Sequence, residues 1–228
     1  MKKIKLSVFV WLLMATSSLY AQTSRETRVL RDFSAIKVSN SIEAELIQGD
    51  ENRMEITASG IDLDNIETGV NNKTLEVKLA RGNFRNHSVK VIITYKDIQG
   101  IEATTSAKVI AKTHIEAAEA YVIATTNAYI EANISADVLN LEAATNAKMY
   151  LAGEADAVNI KAFTKAEIDA KELTAETVKI QANTAATTYI EISDSIEGTL
   201  ATAAKVLYGG NPSSINVKTT TGASINKQ

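Results

Sequence analysis

Between Ile101 and Ile225 apolar and polar positions alternate with a period of two, and the alternation is renewed at regular intervals. Taking every second residue, one stretch reads Ile101, Ala103, Thr105, Ala107, Val109 and another reads Leu141, Ala143, Thr145, Ala147, Met149. Positions two apart on a strand share a face, so each stretch has a face that is apolar at both ends and small in the middle. The intervening residues are largely polar, as in Glu102, Thr104, Ser106 and Lys108. Each stretch therefore predicts a strand with one buried and one solvated face.

At the centre of each stretch stands a Thr-x-Ala unit that occurs seven times. Thr105, Thr126, Thr145, Thr164, Thr184, Thr202 and Thr221 each precede an Ala by two residues, at successive spacings of 21, 19, 19, 20, 18 and 19 residues. A repeat of that length marks a solenoid. The predicted fold is all-β: a parallel β-helix of roughly 19–20-residue coils, with one or two strands per coil and about 4.8 Å between coils. A narrow interior places Ala and Thr where the walls approach and Ile, Val, Leu and Met in the wider lobes. On this reading the seven Thr form an inward structural ladder of mutually bonded hydroxyls, because a buried hydroxyl needs a partner. The rival arrangement is a Thr array facing water, which a turn at the middle residue would produce by reversing the parity. The middle residues are Ser106, Asn127, Asn146, Lys165, Ala185, Ala203 and Gly222. Asn and Gly there predict a left-handed corner or bulge.

The chain before the repeats is strand-like without the regular period. Phe33, Ile36 and Val38, then Ile42, Ala44 and Leu46, then Met54, Ile56 and Ala58 alternate with polar residues, and turn residues fall between the groups. Asn71-Asn72-Lys73 predicts a tight hairpin before Leu75, Val77 and Leu79. The expected organisation is a signal peptide at 1–21, a flexible lead-in at 22–31, an N-terminal β region at 32–99 and the Thr-x-Ala solenoid at 100–228. The β region is either an antiparallel subdomain or an irregular cap for the first coil. Leu173–Ile180 is rich in Ala and Glu, yet its place inside one period predicts strand. Tyr208-Gly209-Gly210-Asn211-Pro212 predicts the turn before the last coil.

Export follows from the N-terminus. Lys2, Lys3 and Lys5 precede an apolar run from Leu6 to Ala15, and small residues lead to a cleavage site after Ala21. That run is about half of the roughly 20 residues a spanning helix needs, and no later stretch is long enough. Loss of residues 1–21 removes three Lys and no acidic residue, so the net charge moves from −3 to −6. An acidic exported chain without basic clusters argues against nucleic acid and anionic lipid as partners. The absence of Cys excludes disulfides and thiol chemistry.

Candidate chemistry is sparse. His87 and His114 stand in unrelated contexts, so no histidine metal spacing or Ser-His-Asp arrangement is supported. Asp50, Asp62 and Asp64 do not match a calcium loop. Glu154 with Asp156, and Glu167 with Asp169, are carboxylate pairs by sequence proximity, and on strands they line a flat face rather than the cleft that glycoside hydrolysis needs. The expectation is no catalytic residue, no cofactor and no metal. Ile123, Tyr129 and Phe163 fall on the polar face in neighbouring coils and form the candidate binding patch, since exposed aromatics on a regular sheet can stack on a sugar ring or a partner.

At these repeats the sequence resembles the bacterial domain family described as putative auto-transporter adhesin head domains, exported proteins common in Bacteroidetes. The resemblance spans nearly all of the mature chain. It rests on Phe33-Ser-Ala-Ile36-Lys-Val38 with Ile42 to Gly49 at the start, Val91 to Ile101 at the entry to the repeats, Thr221-Gly222-Ala223-Ser224, and the closing Tyr208-to-Pro212 turn. Most repeats carry Asn, Ser, Lys or Ala where the family has Gly. The resemblance implies an exported β-helical domain with an adhesive role and transfers no catalytic residue. The membrane barrel of an auto-transporter has no room among these repeats. The functional expectation is a non-catalytic interaction module of the cell envelope or surface, located in the periplasm, at the outer-membrane surface or outside the cell. Its expected partners are carbohydrate or an envelope or host protein, and self-association is also open. The alternatives are a polysaccharide-active β-helix enzyme and a periplasmic structural or assembly protein.

Overall fold

A computed structural model describes residues 23–228. The expected signal peptide lies outside the described residues. Strand β1 (Thr23–Val29) is followed by β2 (Ala35–Val38), β3 (Glu43–Gln48) and β4 (Arg53–Ser59). A short 3₁₀ turn, Leu63–Asn65, leads into the hairpin β5 (Ile66–Asn71) and β6 (Thr74–Leu79), and then β7 (Ser88–Tyr95). The repeats contain β8 (Gly100–Ala103), β9 (Lys108–Ala111), β10 (Ile115–Thr125), β11 (Tyr129–Ala144), β12 (Lys148–Phe163), β13 (Glu167–Ala182) and β14 (Thr187–Leu200). The last coils hold β15 (Lys205–Gly210), β16 (Ser214–Thr219) and β17 (Ser224–Lys227). The described chain is a parallel β-solenoid of about seven turns, with the irregular N-terminal strands as its cap.

Each coil has three walls. The approach wall runs into the Thr-x corner and stacks β2, β8, the end of β10, and the equivalent parts of β11 to β14 and β16. The exit wall leaves the corner and stacks β3, β9, the starts of β11 to β14, then β15 and β17. The back wall stacks the middles of the long strands, with Ile115 beside Ile134, Ile134 beside Gly153 and Gly153 beside Leu173. A strand of sixteen residues, such as β11, bends through two of the three edges without a break in the ladder. In the long coils one continuous strand thus lines all three walls, within the one or two strands per coil expected from the pattern. Only the Thr-x edge reverses the chain sharply.

Inside that edge sit two columns of alanine, Ala103, Ala124, Ala143, Ala162 on one side and Ala107, Ala128, Ala147, Ala166 on the other, all 1 % exposed or less. Space is short where the walls converge, and a methyl group fills it at these four corners, while the larger Val38 and Ile42 flank the Asn40-Ser41 corner and Leu200 the Thr202-Ala203 corner. Larger residues, such as Val109, Ile130, Met149 and Ile168, stack one position farther along the exit wall. Thr188 continues this column, fully buried, with no hydrogen-bond partner for its hydroxyl among the described residues.

The N-terminal segment is built on the same plan. Ala35–Val38 and Glu43–Leu46 pair in parallel with β8 and β9, and Asn40-Ser41 make the corner between them. The chain then departs to build the cap: β6 and β7 extend the two walls in parallel, and β5, β4 and β1 close them antiparallel. One hydrophobic core runs through cap and coils. Residues 23–29, expected as flexible, are instead the outermost strand of the cap. Arg28 anchors them by donating to the carbonyls of Ile66 at 2.6 Å and Leu63 at 3.2 Å, to Thr68 Oγ1, and to Glu26 at 2.7 Å.

Candidate functional site

The Thr-x corner is a turn with two successive left-handed residues. Thr105 to Thr221 have φ of 50 to 56°, and the following non-glycine residue has φ of 59 to 61° or, for Gly222, 74°. The Ala after each pair donates its N–H to the carbonyl three residues earlier, as from Ala107 to Thr104 at 3.1 Å, which completes a type I′ turn. Two left-handed residues reverse the chain and shift its parity, so the seven Thr side chains point into solvent. This corrects the inward hydroxyl ladder. The column is structural through its backbone instead: the N–H of the middle residue donates to the Thr carbonyl of the next coil at 2.8 to 3.0 Å, from Ser106 to Thr126 through Ala203 to Thr221.

The three expected patch residues are not brought together. Ile123 lies on the approach wall between Glu102 and Glu142, while Tyr129 lies on the exit wall between Lys108 and Lys148. Phe163 ends the approach wall beside the corner, next to Ala144 of the preceding coil. The corner turn separates Tyr129 from the other two.

On the exit wall, polar groups are engaged with one another. Tyr129 donates to Glu131 at 2.9 Å, stacks on Tyr150 with ring centres 5.4 Å apart, and has the Lys108 ammonium 5.3 Å from its ring. Burial and the neighbouring Glu131 push its hydroxyl up to about 12. Lys148 pairs with Glu167 at 2.9 Å, and Lys171 reaches both Asp169 at 3.4 Å and the Tyr189 ring at 4.2 Å. The carboxylate pair Glu167 and Asp169 is thus bound to two lysines.

The back wall is acidic. Glu116, Glu154, Asp137, Asp156 and Glu176 project from it, with no Lys or Arg among residues 114–120, 133–138, 152–157 and 172–177. Glu154 and Asp156 are exposed there on an open surface. His114 Nδ1 lies 2.8 Å from Asn133 Oδ1 at the edge of this wall, and His87 packs edge-on to Phe84 far away in the cap. Asp50 is in the β3–β4 turn, and Asp62 and Asp64 are at the 3₁₀ turn. Among the described residues, no three His or acidic groups are placed to hold a metal ion, and no helix is long and apolar enough to cross a membrane.

The approach wall carries a groove of about 660 Å³ lined by Tyr121, Ile123, Asn140, Glu142, Asn159 and Lys161, and by the outward residues of the next three coils. Gly100 makes room for one end of it: a Cβ there would collide with the Tyr121 ring, which occupies that space. Asn159 donates to Asn140 at 3.0 Å, and Asn140 donates to Glu119 at 3.2 Å. This amide ladder escaped the sequence reading because its members are one coil apart. Aligning the outward positions at the 19-residue period would have revealed it.

A model of the family described as "Putative auto-transporter adhesin, head GIN domain" matches residues 32–212. The chain belongs to this family. The head GIN match covers the first coil, the cap apart from β1, and the coils through β15. The head GIN solenoid is also similar to solved structures. A putative adhesin from Bacteroides fragilis NCTC 9343 aligns with TM-score 0.83 and 15% identity over 91% of this chain and 97% of that one. A putative adhesin from Parabacteroides merdae ATCC 43184 aligns with TM-score 0.73 and 17% identity over 92% and 97%. A structure described as a putative lipid binding protein, from Parabacteroides distasonis ATCC 8503, aligns with TM-score 0.65 and 15% identity over 92% and 98%. At these identities the likeness is one of fold. No curated protein matches this head GIN chain.

Proposed function

We propose that this chain is an exported, non-catalytic interaction module of the cell envelope or cell surface. The observation that carries the reading is the family match over residues 32–212, whose description is that of an adhesin head. The walls support it: a rigid stack of coils displays long rows of polar side chains at fixed spacing, as a binding surface requires. The candidate carboxylates fit a binding role better than acid–base chemistry, since Glu167 and Asp169 are tied to lysines and Glu154 and Asp156 stand on an open wall.

Protease treatment of intact cells tests the location. Digestion of the protein while a periplasmic control survives is the expected result for surface display. Protection until the outer envelope is opened turns the reading towards a periplasmic binding role, and retention in the cytoplasm overturns it.

A further inference from the structure

The approach and exit walls face the same solvent and share one backbone, yet they spend their polar groups differently. Four successive rungs of the exit wall are closed by internal contacts from Lys108 to Lys171. On the approach wall Glu142, Lys161, Gln181, Thr199, Asn216 and Lys218 have no side-chain hydrogen bond or ion pair among the described residues. All six line the one groove. Polar groups aligned in a groove and left without internal partners are available to a ligand at little reorganisation cost.

Their order is regular. Tyr121 and Ile123 form an apolar first rung, and the following rungs present Asn140 with Glu142, Asn159 with Lys161, Lys179 with Gln181, Glu197 with Thr199, and Asn216 with Lys218. Every rung after the first thus offers one neutral amide or hydroxyl beside one charged group. The charges are mixed in sign and nearly cancel: Glu142 and Glu197 oppose Lys161, Lys179 and Lys218, and Lys179 already pairs with Glu197 at 3.3 Å. A polyanion finds no continuous cationic track here, and a polycation meets lysines. A chain of uncharged hydroxylated units meets a donor and an acceptor at each step.

We infer that the approach-wall groove binds a linear, uncharged polysaccharide lying along the solenoid axis, about one sugar ring per coil. The coils advance by about 4.8 Å, close to the length of one hexose in an extended glycan, and the six rungs span about 24 Å. Tyr121, resting over Gly100, supplies the apolar platform for the first ring, and the neutral and charged groups of each later rung take the hydroxyls of the rings that follow. The inference rests on the interaction-module reading and gives it a ligand class.

The test is calorimetry of the mature protein with neutral linear glycans (mannan, xylan, β-1,3-glucan and β-1,4-glucan) and with polygalacturonate as the charged counterpart. Oligosaccharides of increasing length from the neutral glycan that binds follow. Affinity should rise with length until about six sugars, the number of rungs at one ring per coil, and then level off. The double variant Glu142→Ala/Lys161→Ala and the single variant Gln181→Ala should each weaken binding about tenfold, while Tyr150→Ala on the exit wall changes it less than about twofold. All three variants alter exposed or partly exposed side chains, and an unchanged circular dichroism spectrum checks their fold. Binding to polygalacturonate alone, binding without length dependence, binding indifferent to the approach-wall variants, or no binding across the panel each overturns the proposal. Surface display in the protease experiment would persist in all these cases, so the two readings fail separately.

Discussion

The two ends of the solenoid are finished in opposite ways. At the N-terminal end, antiparallel strands β1, β4 and β5 close the two walls, and Met54, Ile56 and Ile66 beneath them are 1 % exposed or less. At the other end β16 and β17 pair on one side only among the described residues, and the inward column members Val217, Ala223 and Ile225 are half-buried while Ile215 is 46% exposed. Each coil borrows half of its packing from the coil above it. Stability should therefore be graded along the axis, high at the cap and low in the last coil.

The largest effect that could break this comparison is a pair of truncations. Ile56→Ala in the cap should cost about 2–5 kcal/mol, and Ile215→Ala in the last coil less than about 1 kcal/mol, both read from urea midpoints. Equal losses would mean that the ends are equivalent. Next comes Thr188→Val, near the weaker end. Replacing a buried, unpartnered hydroxyl between Ile168 and Val206 with a methyl should stabilise the protein by about 1–2 kcal/mol. A loss of stability would show that the hydroxyl has a partner. The smallest expected effect is at alkaline pH. Tyr129 titrates at about 12 in the folded chain and at about 10 when unfolded. The folded state holds its proton more tightly, so stability falls as pH rises from about 10 to about 12. Tyr95 and Tyr121 are also pushed up, chiefly by burial, and act in the same direction. Tyr129→Phe should lessen that fall without abolishing it, as followed by urea midpoints across the same range.

The period of the Thr-x-Ala units made the coil legible, because the tight corner favours a small residue such as Ala and its position recurs with every turn. Thr orientation was not legible from parity alone. Parity holds along extended backbone, and two left-handed residues at Thr105-Ser106 or Thr164-Lys165 reset it. Strand β1 was missed for a different reason: Thr23–Val29 is held by pairing with β4 and by Arg28 reaching carbonyls nearly forty residues away, so its own hydrophobicity carries little signal. The same distance in sequence hid the approach-wall groove. Asn140 and Asn159 look like isolated amides until the coils are stacked. Tyr129 was picked out as exposed, but its neighbours Tyr150 and Lys108 became visible only through the register of β9, β11 and β12.

The corner has a consequence for how such a chain can change over generations. Each turn is completed by the Thr carbonyl of its neighbour, and the donor and acceptor are the same two backbone atoms in every coil. A segment cut at equivalent points, such as the nineteen residues from Ala128 to Asn146, therefore carries a complete rung with both of its joints. Its duplication would lengthen the molecule by about 4.8 Å and leave the cap and the last coil untouched. Reach becomes a heritable quantity, adjustable in whole steps by copying one short stretch of DNA, while the face shown by each step stays free to diverge.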